Sequence, residues 1–168
     1  IGRGRAGEIK AGYSKHLERS LVSWKAAQDL GYQLKLNTVV CNYNKLDDMT
    51  ELVAQLKPQR WKVFQALPIK GENDHVWDEL EITSAEFRDW VDRHRHLSPV
   101  VESNELMTGS YCMLDGKLRF YNNVGGEFKH SSPIPEVGMD RAWSEIGSLF
   151  NDDVFEDRGG VWSWEVAK

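Results

Sequence analysis

Two short runs of β character with a helical segment between them constrain this chain more than any other feature. Residues 33–41 read Q-L-K-L-N-T-V-V-C, alternating and β-branched toward the end, and residues 60–67 read R-W-K-V-F-Q-A-L and stop at Pro68. Between them Leu46, Met49, Leu52, Val53 and Leu56 recur at helical spacing, with Asn44 as an expected N-cap and Pro58 as a stop. A helical crossover returns the next strand in the same direction, so the two runs are expected to lie parallel. A helix over residues 13–30, carrying Leu17, Leu21 and Trp24 on one side and closed by Gly31, precedes them. The class is therefore α/β.

The texture changes further along. Thr83-Ser84-Ala85-Glu86 is a capping box that opens a third helix running to about Leu97. Two short runs around Asp115-Gly116, residues 110–114 and 117–121, predict a hairpin. Residues 125–135 read as a Gly/Ser/Pro loop, 140–150 as a fourth helix, and 161–164, after Gly159-Gly160, as a last strand. A boundary near residue 98 fits this change.

Composition narrows the function classes. The 168 residues are 40% hydrophobic and 28% charged, an ordinary globular balance, and no apolar stretch approaches the roughly 20 residues of a spanning helix. A net charge of -5 argues against a duplex-DNA binder that works through a general basic surface. Cys41 and Cys112 are too far apart for a C-x-x-C metal pair, and a reduced, cytoplasmic setting is expected. The chain opens on Ile1-Gly2-Arg3-Gly4 without a methionine or signal peptide, as expected of part of a longer protein.

Chemistry is suggested by what the strands carry. A parallel sheet covered on both faces should read as nearly continuous apolar runs, and these do not. Period-two geometry puts Lys35 and Asn37 on one face of the first strand, and Arg60 and Lys62 on one face of the second. If the strands are neighbours, three cations and an amide converge. Unpaired burial of those cations costs far more than the roughly 1–3 kcal/mol gained by burying one apolar side chain. A polyanion would compensate them, since ammonium and guanidinium groups both suit phosphate oxygens. The other reading is an antiparallel sheet whose wet face solvates them. Ile1-Gly2-Arg3-Gly4 is either a backbone nest for an anion or a surface loop. His94-Arg95-His96 places its two rings on different sides of a helix and reads as a solvated helix end, not a metal site. Tyr111 opens the hairpin run as a half-buried aromatic, and the seven tryptophans read as packing residues. No P-loop, G-x-S-x-G or H-E-x-x-H motif is present.

The order I-G-R-G (1–4), L-K-L-N-T-V-V (34–40), D-M-T-E (48–51), R-W-K-V-F-Q (60–65), G-E-N (71–73), E-S-N (102–104), S-Y-x-x-L-D (110–115), L-R-F (118–120) and R-G-G (158–160) resembles the C-terminal half of the viperin-like radical S-adenosylmethionine enzymes. The resemblance spans essentially the whole chain. It implies the second half of a partial (βα)6 barrel over residues 1–97 and a small α+β C-terminal extension over 98–168. The activity it implies is dehydration of a nucleoside triphosphate, CTP first and UTP or GTP as alternatives, to the 3′-deoxy-3′,4′-didehydro analogue, an antiviral chain terminator. Arg3 and Asn37 fall on positions that contact S-adenosylmethionine, Lys35, Arg60 and Lys62 on those that hold the triphosphate, and Tyr111 on a tyrosine near the ribose that is a suggested hydrogen donor.

The implied cofactors are S-adenosylmethionine and a [4Fe–4S] cluster, fed by an electron donor. The cluster motif C-x-x-x-C-x-x-C is not in these residues and is expected upstream, together with any membrane-binding helix. Animal members end in a tryptophan that recruits the iron–sulfur assembly machinery; this chain ends Val166-Ala167-Lys168, which does not carry that partner over. The alternative to the enzyme is a non-catalytic module that binds nucleotides or phosphoanions without a cluster.

Overall fold

The computed structural model describes residues 16–163. Helix α1 (His16–Asp29) leads to strand β1 (Lys35–Val40), helix α2 (Thr50–Leu56), strand β2 (Arg60–Gln65), a short helix α3 (Trp77–Leu80), helix α4 (Ser84–His94) and strand β3 (Val100–Glu102). The three strands form one sheet in the order β1-β2-β3, and both pairings are parallel. The parallel arrangement expected of the two runs is present, and the sheet continues past residue 98 into a third strand that the sequence reading did not predict.

Register divides the sheet into two unlike faces. Leu36, Val40, Trp61 and Val63 turn toward the helices and pack with Val53 and Leu56 of α2 and Phe87 and Trp90 of α4. Leu21 and Trp24 of α1 seal this layer, and the Trp24 indole donates to the Leu56 carbonyl at 2.9 Å. Each large side chain fully buried here contributes about 1.5–3 kcal/mol. The opposite face carries Lys35 beside Arg60 and Asn37 beside Lys62. The first face is covered by apolar helices, while the second is exposed along β1 and covered at β2 and β3 by polar groups of the later chain, which explains why the strands alternate instead of reading as solid apolar runs.

Local structure departs from expectation where a polar side chain found a better partner. Helix α2 begins at Thr50, not near Leu46, which is 83% exposed. Asn44 does not cap the helix: its Oδ1 accepts from the Cys41 N–H at 2.8 Å and its amide donates to the Val39 carbonyl at 2.9 Å, so it closes the end of β1. Lys57 ends α2 in the left-handed region, with its N–H on the Val53 carbonyl at 2.9 Å. The capping box at Thr83 and Glu86 forms as expected.

His94 is a clear correction. It is fully buried, its ring 3.9 Å from that of Trp90; Nδ1 meets the Trp90 carbonyl at 2.7 Å and Nε2 accepts the Met49 N–H at 2.9 Å. The imidazole thus satisfies a backbone donor at the start of α2, so that end of α4 turns inward while His96 stays exposed.

Beyond β3 come helix α5 (Asn104–Met107), strands β4 (Met113–Leu114), β5 (Phe120–Asn122) and β6 (Lys129–His130), and helices α6 (Ile134–Val137), α7 (Met139–Ile146) and α8 (Asp152–Asp157). The expected hairpin is β4-β5, held by Asp115, whose Oδ1 accepts from the N–H groups of Lys117 at 2.8 Å and Arg119 at 3.0 Å. Part of the expected loop, β6, joins as a third antiparallel strand. The expected fourth helix is α7, ending at Ile146. Residues 161–163 form no strand, because Gly159 and Gly160, both at positive φ, turn the chain back and lay Trp162 over Arg60. No helix among the described residues is long and apolar enough to cross a membrane.

Candidate functional site

Strand β2 positions the centre of the site. Its alternation puts Lys62 on the face away from the helices, and the β2-β3 register sets Phe64 against Glu102, so the Lys62 ammonium and the Glu102 carboxylate meet as neighbours on that face. Lys62 is 7% exposed and Glu102 fully buried. The chain following α8 supplies a second cation: Arg158 Nη1 lies 3.5 Å from Glu102 Oε1, and its Nη2 donates to the Ser110 carbonyl at 2.9 Å. Tyr111 completes the cluster by donating its hydroxyl to Glu102 Oε2, while the Arg158 guanidinium stacks 3.9 Å from the centre of its ring.

Two cations therefore pair with one carboxylate, and a third, Arg60, lies within its electrostatic reach. Arg60 stands at the start of β2, its guanidinium 4.6 Å from the Trp162 ring, and neither its Nε nor that of Arg158 has a hydrogen-bond partner among the described residues. Buried guanidinium N–H groups without acceptors are costly, so the cluster carries an unmet demand for anionic oxygen. Burial lowers the Lys62 ammonium below its ordinary value, against the pull of Glu102, and burial likewise lowers Arg60. Burial, then the hydrogen bond to Glu102, pushes the Tyr111 phenol up, so it is a protonated donor at neutral pH.

The sequence reading treated the strand cations as uncompensated; Lys62 is already paired, by Glu102. Arg60, Lys62 and Tyr111 do come together. Lys35 and Asn37 stand beside Arg60 and Lys62 in the register but are exposed on β1. Arg3 lies outside the described residues. Glu102 and Arg158 lie within the E-S-N and R-G-G motifs, to which the sequence alone assigns no role. A carboxylate closing the apolar run Val100-Val101 was the available signal for Glu102; Arg158 reaches the site only through the fold of the extension and had none.

No group of three or more His, Cys, Asp or Glu side chains among the described residues can hold a metal ion, and Cys41 and Cys112 are free. An iron–sulfur cluster therefore does not fit these residues.

The chain is 44% identical over 138 residues to an S-adenosylmethionine-dependent nucleotide dehydratase of Flammeovirga pacifica, covering 82% of this chain and 47% of that protein. It is 42% identical over 139 residues to one of Lacinutrix mariniflava, 29% of which is covered, and 39% identical over 139 residues to the S-adenosylmethionine-dependent nucleotide dehydratase RSAD2 of Danio rerio, 38% of which is covered. The chain thus spans less than half the length of these relatives. No family model matches it.

Proposed function

We propose that this chain, a homologue of part of the S-adenosylmethionine-dependent nucleotide dehydratases, is the nucleotide-holding part of such an enzyme, equivalent to the C-terminal half with its extension. The observation that carries this reading is the surplus of buried and half-buried cations: Lys62, Arg60 and Arg158 against the single carboxylate of Glu102. Burial removes competing water and leaves two guanidinium Nε–H groups without acceptors, which phosphate oxygens supply. Lys35, at the exposed edge of the same face, extends the cation row toward the outer phosphate.

The substrate is a nucleoside triphosphate, CTP first, with UTP and GTP as alternatives, and the product is its 3′-deoxy-3′,4′-didehydro analogue. Net loss of water from the ribose removes the 4′ hydrogen atom and the 3′ hydroxyl, the hydroxyl leaving as water with one proton and one electron. S-adenosylmethionine, when bound, supplies the hydrogen-abstracting chemistry, with Arg3 and Asn37 as its contacts in this chain. The cluster's ligands belong to another part of the protein, and no step is derived through it. What these residues contribute is an anion seat formed by Arg60, Lys62 and Arg158, and a phenol hydrogen at Tyr111 placed beside it. The product's role as an antiviral chain terminator belongs to this same reading.

Lys62→Ala in the natural gene product tests it. The nucleotide-induced rise in melting temperature should weaken as affinity falls by about 1.5–3 kcal/mol, the worth of a charge-assisted hydrogen bond. Unchanged affinity would remove the cluster from nucleotide binding. The same anion seat would also serve a second reading, a phosphoanion-binding module without redox chemistry. Iron and sulfide analysis of the anaerobically purified gene product separates the two, since only the enzyme carries about four irons.

A further inference from the structure

A carboxylate at the centre of an anion site works against the anion, because it neutralises the cations a phosphate would use. Glu102 nonetheless sits fully buried between Lys62 and Arg158, on a strand of the parallel sheet. Its other oxygen meets the Tyr111 hydroxyl. Tyr111 lies in an irregular stretch just before β4, outside any ladder, and three contacts hold it instead, one on its backbone and two on its side chain. The Asn122 amide donates to its carbonyl at 2.8 Å, Arg158 stacks on its ring, and Glu102 takes its hydroxyl. Of these only Glu102 belongs to the sheet that carries Lys62. It is the link that ties a loop of the extension to the anion seat.

We propose that Glu102 is a positioning residue: its carboxylate fixes the Tyr111 hydroxyl beside the cations that seat the triphosphate. The inference rests on the proposed reaction for the use made of Tyr111. One carboxylate serves both sides because its two oxygens diverge, Oε1 toward Lys62 and Arg158 and Oε2 toward the phenol. Glu102 therefore acts through Tyr111 and not on the nucleotide.

The test uses the natural gene product, cluster-loaded, as wild type, Glu102→Gln, Tyr111→Phe and the double variant. Glu102→Gln should lower kcat at least about tenfold, the worth of one well-placed hydrogen bond, while the nucleotide melting shift persists. In the double variant the losses should not multiply: adding Glu102→Gln to Tyr111→Phe should change kcat by less than about twofold, since both act on one hydroxyl. A Glu102→Gln kcat near wild type, or losses that multiply, overturns the inference.

A readout independent of turnover is the fluorine NMR titration of 3-fluorotyrosine placed at position 111. In Glu102→Gln its phenol should ionise about one pH unit or more lower than with Glu102 intact, because a neighbouring carboxylate favours the neutral phenol. An unmoved titration overturns the proposal. If Glu102→Gln does not fold, Glu102→Asp, which keeps the charge but shortens the arm, takes its place: kcat should still fall at least about tenfold because the hydrogen bond to Tyr111 is lost, the retained charge should leave a smaller fluorine shift than Gln would, and a kcat near wild type overturns the inference. A wild-type protein that makes no dehydrated nucleotide would sink the reaction while leaving the fluorine titration to decide Glu102.

Discussion

The two faces of the parallel sheet treat buried polar groups in opposite ways. On the helix-covered face most such groups are answered: the Trp61 indole donates to Thr38 Oγ1 at 3.0 Å, the Gln65 amide to the Ile82 carbonyl at 3.3 Å, and both nitrogens of His94 are bonded, with the neutral Trp90 indole N–H left without a hydrogen-bond partner among the described residues. On the other face Lys62 and Arg158 share one carboxylate with Arg60 nearby, and the Nε–H groups of both arginines have no hydrogen-bond partner among the described residues. A satisfied polar group needs nothing more and stabilises the fold; an oversupplied one stabilises it poorly and is suited to a ligand. Burial alone does not separate structure from function, since His94 and Glu102 are equally buried.

Substitutions on the two faces should therefore move different quantities. The largest effect expected is from His94→Ala, which leaves the Met49 N–H without its acceptor and opens a cavity against Trp61 and Trp90. It should cost about 2–4 kcal/mol in a denaturant titration of the full protein, with nucleotide affinity of the folded fraction unchanged. A His94→Ala protein of wild-type stability but impaired nucleotide binding would invert the comparison. Arg158→Ala should do the reverse. It removes one phosphate donor and the stacking partner of Tyr111, so nucleotide affinity should fall about tenfold or more while the covered face, which Arg158 does not touch, is preserved. Equal losses in affinity and in stability would show that Arg158 is mainly a brace for the extension.

How far each face was legible follows from the range of the interactions. The alternation of 33–41 and 60–67 gave the face of every strand residue, and the register agrees: Lys35 beside Arg60, Asn37 beside Lys62. The capping box at Thr83 was legible because its two partners are three residues apart. His94 was misread because its partner Met49 lies in another helix, and a helix-end motif gives no hint of it. Strand β3 was missed because three residues are too few to show a period. With it went Glu102, the residue that turns a row of strand cations into a site. The resemblance to the viperin-like enzymes supplied the nucleotide; it did not supply the carboxylate that joins Lys62 to Tyr111.

The smallest expected effect concerns acid. Glu86, at the start of α4, is held at about 2, first by its hydrogen bond with Lys45 and then by its bonds with Thr83, against an ordinary value of 4.5. A carboxyl group whose folded value is depressed stabilises the fold fully above its unfolded value, and that stability is lost as pH falls through the folded value. The covered face should thus loosen between about pH 4.5 and 2, and Glu86→Gln should flatten that limb of the melting curve without altering the neutral side. Glu86 is solvent-accessible, so added salt should shrink the effect. The open face titrates at the other end: Lys62 is lowered by burial, so nucleotide binding should weaken as pH rises through that lowered value, and Glu86→Gln should leave this alkaline limb in place. An acid limb that survives Glu86→Gln unchanged would transfer it to other carboxylates, of which Asp115, held at about 2 by the Arg119 N–H and guanidinium, is the first to replace.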